Sequence, residues 1–316
     1  MQILLVLDIP LQGQDYMFTS VIEGLNYYNY KSNQPYFDSR YGNESLIPEK
    51  NVCKTQKELS ELYESCDLII FLSMFNFPSS TYDPPKTLNL NYLNKTVYID
   101  ATEKSFDFFP YHDNSLRNEP FVWEFMLQNC KSYFKRECYL EELKRTIIPF
   151  PYACISKNFS STMFSSTMKK EFDVLCCFGQ IDTGLRKESL QVCRRLKEEG
   201  FDIHILNNLP FNEYIETVGK ARIVIDACGG GQINARFFEA IANKCLVFRE
   251  KYTVIIPNDF DNSEIVEFTN KEELYNQLKY YLKNIDLVSV MANRSYEKAI
   301  KYHTPKARLE YLLKSI

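Results

Sequence analysis

The chain has 316 residues, 45% hydrophobic and 25% charged, with a formal net charge of −4. That length is enough for two domains with their own cores, and the composition is that of an ordinary globular protein. Mild acidity leaves no broad basic field to attract phosphate backbones, so nucleic acid is not an expected partner.

The apolar run in Gln2–Asp8 is short, lacks a basic leader and ends in an acid, so it predicts a first strand rather than a signal peptide. No run has the length of a membrane span. The ten cysteines include no CxxC pair, so they are expected to be small buried hydrophobes in a reducing, cytoplasmic setting. Residues 29–49, rich in Tyr, Asn, Ser and Pro, predict a loop with one short strand. Lys54–Ser65 has a helical pattern with Leu59 and Leu62 on its apolar face. Further strands are expected at Leu68–Leu72, Thr96–Asp100, Ser132–Lys135 and Thr146–Pro149. After Pro149-Phe-Pro151, the polar stretch Ser156–Met168 predicts a linker.

The second half restarts with a strand at Phe172–Phe178. It continues with helix Leu185–Glu199, strand Asp202–Leu206, helix Asn212–Lys220, strand Arg222–Asp226, helix Asn234–Asn243 and strand Leu246–Phe248. Alternating strands and helices predict parallel sheets with right-handed crossovers. Ligands of such sheets bind beyond the carboxyl ends of the strands.

Ala227-Cys-Gly-Gly-Gly-Gln-Ile-Asn-Ala-Arg-Phe-Phe-Glu239 occupies that position. Gly229, Gly230 and Gly231 remove side chains from the turn, which lets backbone N–H groups approach an anion closely. The following helix turns its positive end to the same spot, with Asn234 as an N-cap or a ligand contact. Arg236 and Glu239 share a helix face: a guanidinium suits a diphosphate, and a carboxylate suits the two hydroxyls of a ribose. The stretch therefore reads as a nucleotide-sugar site. Gly179, at a strand end, gives room for backbone or ligand. Arg186, one turn into its helix, is a candidate for the pyrophosphate.

Several stretches carry a family resemblance. Ser132-Tyr-Phe-Lys-Arg-Glu137 with Ile148-Pro-Phe-Pro151, Phe172-Asp-Val-Leu-Cys-Cys-Phe-Gly179 with Arg186, and Arg236-Phe-Phe-Glu-Ala240 recur in order. Asn270-Lys-Glu-Glu-Leu274 and Tyr302-His-Thr-Pro-Lys-Ala-Arg308 follow. Over roughly residues 95–316 the chain resembles the bacterial spore-maturation-protein glycosyltransferase-like family (the CgeB/YkvP-like group), a branch of the GT-B glycosyltransferases. The resemblance implies an α/β GT-B fold: two Rossmann-like domains with parallel sheets facing across a cleft, closing over the acceptor to exclude water. Residues 1–155 would form the acceptor-side domain and 169–289 the donor domain, with helices from about 290–316 returning to the first. Two departures stand out. Many retaining GT-B enzymes carry a glutamate eight residues before the one matched by Glu239, and here that position is Gly231. Lys244 stands where the family's helix often ends in Gly, so Asn243 is expected to take the left-handed turn instead.

On the acceptor side, Asp100 and Glu103 lie in a segment similar to the family's Asp-Gly-x-Asp-like loop, and a carboxylate there can deprotonate an acceptor hydroxyl. Asp8 closes the first strand and is a weaker candidate for the same work. Lys135 and Arg136 are expected to bring positive charge to the departing diphosphate. His303 can cap the cleft or pack a helix, and His204 is read as structural. Asp259-Phe-Asp261 lacks the strand-end context of a metal-binding Asp-x-Asp, so no metal and no cofactor beyond the nucleotide-sugar co-substrate, such as a UDP-sugar, is expected. The expected activity is metal-independent glycosyl transfer to an unidentified acceptor, whether protein, glycan or small molecule. The alternatives are other GT-B chemistry (a phosphorylase or a sugar-nucleotide epimerase) and a non-catalytic nucleotide-binding or interaction protein. A dinucleotide oxidoreductase is disfavoured because no Gly-x-Gly-x-x-Gly follows either opening strand.

Overall fold

Strands that are apolar on both faces are stable only when helices cover them, and this chain builds two such parallel sheets. The computed structural model describes residues 1–8, 12–13, 16–38, 40, 44–73, 88–101, 126–159 and 169–316. Glu103, and residues 160–168 of the expected linker, lie outside the described residues.

The chain divides into two compact units. The first comprises Met1–Pro151, Val254–Pro257 and Pro305–Ile316; the second comprises Tyr152–Thr253 and Asn258–Thr304. The first unit opens with β1 (Ile3–Asp8), β2 (Gln12–Gly13), α1 (Tyr16–Leu25), β3 (Tyr30–Ser32) and β4 (Phe37–Asp38). It continues with α2 (Gln56–Ser65), β5 (Leu68–Ser73), β6 (Thr96–Asp100), β7 (Ser132–Lys135), α3 (Leu140–Leu143) and β8 (Ile148–Pro149). Its parallel sheet has the order β3-β1-β5-β6-β7-β8. One face buries Leu4, Val6, Ile69 and Phe71. There Tyr98 stacks on Phe71 with centroids 5.6 Å apart, and Tyr133 on Tyr98 at 5.0 Å.

The second unit contains β9 (Phe172–Cys177), α4 (Arg186–Glu198), β10 (Ile203–Leu206), α5 (Phe211–Lys220), β11 (Ala221–Asp226) and α6 (Ala235–Ala242). It then adds β12 (Leu246–Glu250), β13 (Val266–Phe268), α7 (Lys271–Leu282) and α8 (Ile285–Tyr302). Its sheet order is β10-β9-β11-β12-β13. Val174, Cys176, Ile223, Ile225, Leu246 and Phe248 pack against Val192, Cys193 and Leu196 of α4. The C-terminal stretch is shared between the units: α8 packs on α6 and β12 in the second, whereas α9 (Pro305–Lys314) packs on α1 in the first. All ten cysteines are thiols, most of them buried. No described helix is long and apolar enough to cross a membrane.

Three local expectations need correction. The 29–49 segment yields two short strands, and one of them, β3, is an edge of the sheet, pairing Tyr30–Ser32 with Ile3–Leu5. Thr146 has φ 64°, so β8 cannot begin there and starts at Ile148. The left-handed residue after α6 is Lys244 itself, at φ 52°, whereas Asn243 is at φ −96°. Asn243 is held by its amide, which donates to Asn158 O at 2.5 Å and Glu239 O at 2.9 Å. A lysine Cβ is strained in that region and glycine is not. Lys244→Gly is therefore expected to stabilise the protein by about 0.5–1 kcal/mol in chemical denaturation; a destabilised variant would contradict the strain.

Candidate functional site in the second unit

β9, β11 and β12 are neighbours, so the loops beyond their carboxyl ends share one edge of the sheet. The loop after β11 is the glycine turn, closed by Gly229 N donating to Gly231 O at 2.9 Å, with Gly230 exposed at its tip. Gly229 is required by close approach: a Cβ there would lie 2.6 Å from Arg186 Nη2 and 2.8 Å from Asn234 Oδ1. Arg186 opens α4 and leans onto this turn. Its Nη1 donates to Gln180 O at 2.9 Å, its Nε to Ala227 O at 3.3 Å and its Nη2 to Asn234 Oδ1 at 3.4 Å. Asn234 Nδ2 donates to Ala227 O at 3.1 Å. The Asn234 side chain thus braces the loop and makes no capping bond, leaving the opening turn of α6 without a side-chain cap.

Two residues missed in the sequence fix the neighbouring backbone. Glu250, the last residue of β12, accepts from Leu185 N at 3.0 Å and from Cys228 N at 2.9 Å through one oxygen. It thereby ties the loop before α4 to the glycine turn. Gly184 passes beneath with φ +52°, where a Cβ would lie 2.7 Å from that same oxygen. Gln232 pairs with Thr253 on the far side of the turn, at 2.7 Å and 2.6 Å.

Arg236 projects from the first turn of α6. Its Nη1 lies 3.3 Å from Asp226 Oδ1, and its guanidinium lies 4.8 Å from the Phe178 ring centroid. Arg186 lies over the same ring at 5.4 Å. Burial, and then the adjacent Arg236 charge, push the Arg186 pKa down. Asp226 is fully buried, and its other oxygen accepts the Tyr252 hydroxyl at 2.5 Å. Burial raises the Asp226 carboxyl, while Arg236 and Tyr252 pull it back down. Tyr252 is in turn covered by Arg249, 4.7 Å from its ring centroid. Arg249 is held by Asp259 at 2.8 Å and 3.0 Å and by Glu267 at 2.7 Å, so Asp259 is committed to an ion pair.

A cavity of about 360 Å³ lies at this edge, lined by Cys177, Gly179, Asn208, Leu209, Tyr214, Asn234, Ala235, Arg236 and Glu239. It brings Gly179, Asn234, Arg236 and Glu239 together; Arg186 and Gly229 stand behind Asn234. Asn208 and Leu209 escaped the sequence reading because the 207–210 segment carries no motif, and Tyr214 because nothing in the sequence of α5 marks it as lining a cavity. Glu239 is 4% exposed, and burial raises its carboxyl from an ordinary 4.5 to about 8. His303 is fully buried, stacked on Phe260 at 4.7 Å with Nε2 3.1 Å from Asn258 O. It is a packing residue at the end of α8. His204 stacks on Phe172 at 3.9 Å. Among the described residues no three His, Cys, Asp or Glu side chains cluster as metal ligands.

In the first unit, Asp100 ends β6 and accepts the Tyr133 hydroxyl at 2.9 Å, while its backbone oxygen accepts from Arg136 N at 2.9 Å. Asp8 ends β1, where its carboxylate accepts from Ser73 Oγ at 3.4 Å. Arg136 is almost wholly buried. Lys135, expected to offer positive charge to a ligand, is instead fully buried against Glu142 at 2.8 Å, because a buried ammonium needs a counter-charge.

Known proteins share this fold. The glycosyl transferase-like family model matches residues 175–314. No curated relative matches the sequence. Among solved structures, a glycosyltransferase from Rickettsia africae ESF-5 is similar at 12% identity and TM-score 0.58, over 99% of this chain and 97% of that one. An alpha-glucosyltransferase in complex with UDP-glucose and DNA containing an abasic site is similar at 11% identity and TM-score 0.57, over 99% and 98%. HepE from Anabaena in complex with UDP is similar at 10% identity and TM-score 0.54, over 100% of both. The likeness is one of fold, and that fold is GT-B.

The raised Glu239 carboxyl has a measurable consequence. The folded protein holds a proton that the unfolded chain releases near pH 4.5, so the associated stability is present below 4.5 and is lost as pH rises through about 8. Each unit of difference is worth about 1.4 kcal/mol. Glu239→Gln, which stays neutral, is expected to keep a higher Tm than the parent at pH 8.5 and to match it at pH 4. Parallel Tm–pH curves would refute the burial argument.

Proposed function

We propose that the chain is a nucleotide-sugar-dependent glycosyltransferase, with a UDP-sugar donor bound in the second unit and a location in the cytoplasm. The observation that supports this most is the 360 Å³ cavity into which one helix, α6, brings Arg236 and Glu239 together. An uncapped helix start, a guanidinium and close-packed glycine backbone suit a diphosphate. A carboxylate one turn further along suits ribose hydroxyls, which donate to it. The GT-B fold and the UDP complexes of similar structures favour the same assignment.

In this reading Arg236, Arg186 and the α6 amides take up charge on the leaving diphosphate, and no metal is needed for that step. Asp100, fixed by the Tyr133 hydroxyl, is the proposed base for the acceptor hydroxyl in the first unit. The likeness to the spore-maturation-protein group belongs to the same proposal. A second reading, nucleotide binding without transfer, is favoured by Gly231 at the position of the absent carboxylate.

UDP titrated calorimetrically into the protein tests the donor site. Ribose hydroxyls donate to ionised Glu239, so binding is expected to release a proton and to strengthen with pH by up to about tenfold per unit below pH 8. Glu239→Ala is expected to weaken UDP by about ten- to a hundred-fold; unchanged affinity would remove Glu239 from the site. Slow release of free sugar from a UDP-sugar in the absence of acceptor separates an enzyme from a binding protein. Tight UDP binding with no such release from any UDP-sugar would favour the second reading.

A further inference from the structure

Asp226 and Tyr252 lie outside every role assigned above, yet they are among the most enclosed polar groups of the second unit. Asp226 is the last residue of β11, and Tyr252 follows the end of β12, so two adjacent parallel strands deliver them to the same point behind the cavity. The Asp226 carboxylate divides its two oxygens. Oδ1 faces Arg236 Nη1 at 3.3 Å, and Oδ2 accepts the Tyr252 hydroxyl at 2.5 Å.

That division has a chemical effect. An arginine beside a carboxylate tends to pair through two parallel hydrogen bonds, which would turn its donors away from any ligand. The Tyr252 hydroxyl takes one acceptor position of Oδ2 and fixes the rotation of the carboxylate, so that Arg236 meets Oδ1 alone. Arg236 is left with one contact near the long end of the hydrogen-bond range, enough to aim the side chain but not to consume it. Among the described residues its Nη2 donates to no protein acceptor and its Nη1 makes only the Asp226 contact, so the outer end of the guanidinium keeps donor capacity for a ligand. Tyr252 cannot easily swing aside, because Arg249 lies 4.7 Å from its ring centroid and Phe237 packs edge-on at 6.1 Å. An arginine fixed before its ligand arrives loses less side-chain freedom on binding.

We propose that Asp226 and Tyr252 are positioning residues that hold Arg236 in a half-satisfied state, ready for the diphosphate. The proposal rests on the donor-site reading above, and it makes a claim that reading does not: phosphate recognition depends on two side chains that touch no ligand.

The test compares UDP with uridine by calorimetry on the full chain, since uridine lacks the group Arg236 is argued to grip. Tyr252→Phe frees the carboxylate to rotate into a two-bond pair with Arg236 and is expected to weaken UDP by about three- to tenfold. Asp226→Asn removes the anchor and is expected to weaken UDP by about ten- to a hundred-fold. Uridine binding should be unchanged in both. Tighter UDP binding by Asp226→Asn would overturn the proposal, because Asp226 would then be masking Arg236. Equal losses for both ligands would also overturn it by marking the pair as structural. So would an unmoved UDP-to-uridine ratio in both variants, while the donor site itself would stand. Wild-type protein that binds neither compound would overturn the donor site, and this proposal with it.

Discussion

Two carboxylates at the ends of adjacent parallel strands organise the edge of the second sheet on which function is argued. Asp226 closes β11 and Glu250 closes β12. Glu250 binds backbone, joining the loop that precedes α4 to the glycine turn. Asp226 binds a side chain, Arg236. A parallel sheet gathers its strand ends on one edge, so residues distant in sequence meet there without a dedicated loop. If either carboxylate is lost, a loop or a cation loses its reference point.

The charges at this edge are unevenly matched. Arg186 and Arg236 stand over one phenylalanine ring, and burial together with mutual repulsion lowers the Arg186 pKa. Glu239 lines the same cavity, and burial makes its carboxyl hard to ionise. In the proposed reading a diphosphate linked to a ribose would give the cations an anion and the carboxyl a pair of hydroxyl donors.

Much of this was legible in the sequence where the signal is local. The triple glycine after an apolar strand, and the spacing of Arg236 and Glu239, depend on neighbours along the chain, and the cavity unites Gly179, Asn234, Arg236 and Glu239. Most strands of both sheets were readable in the sequence, whereas β3 and β13 were not, because three residues at a sheet edge carry no period. Glu250, Tyr252 and Asp226 were invisible because Glu250 meets backbone 65 and 22 positions away and Tyr252 meets Asp226 across 26, and the sequence does not show which strand ends will be adjacent. Lys135 misled for a related reason: Glu142, seven residues on, is brought to it only by the turn into α3. Lys244 broke a rule of local preference that the end of α6 overrides.

The central claim is that the α6 edge of the second sheet receives a nucleoside diphosphate. A crystal structure of the protein grown with UDP tests it most directly. The account predicts phosphate oxygens within about 3 Å of the Arg236 guanidinium and ribose hydroxyls against the Glu239 carboxylate. UDP bound elsewhere on the chain, with Arg236 and Glu239 contacting only protein, would contradict it.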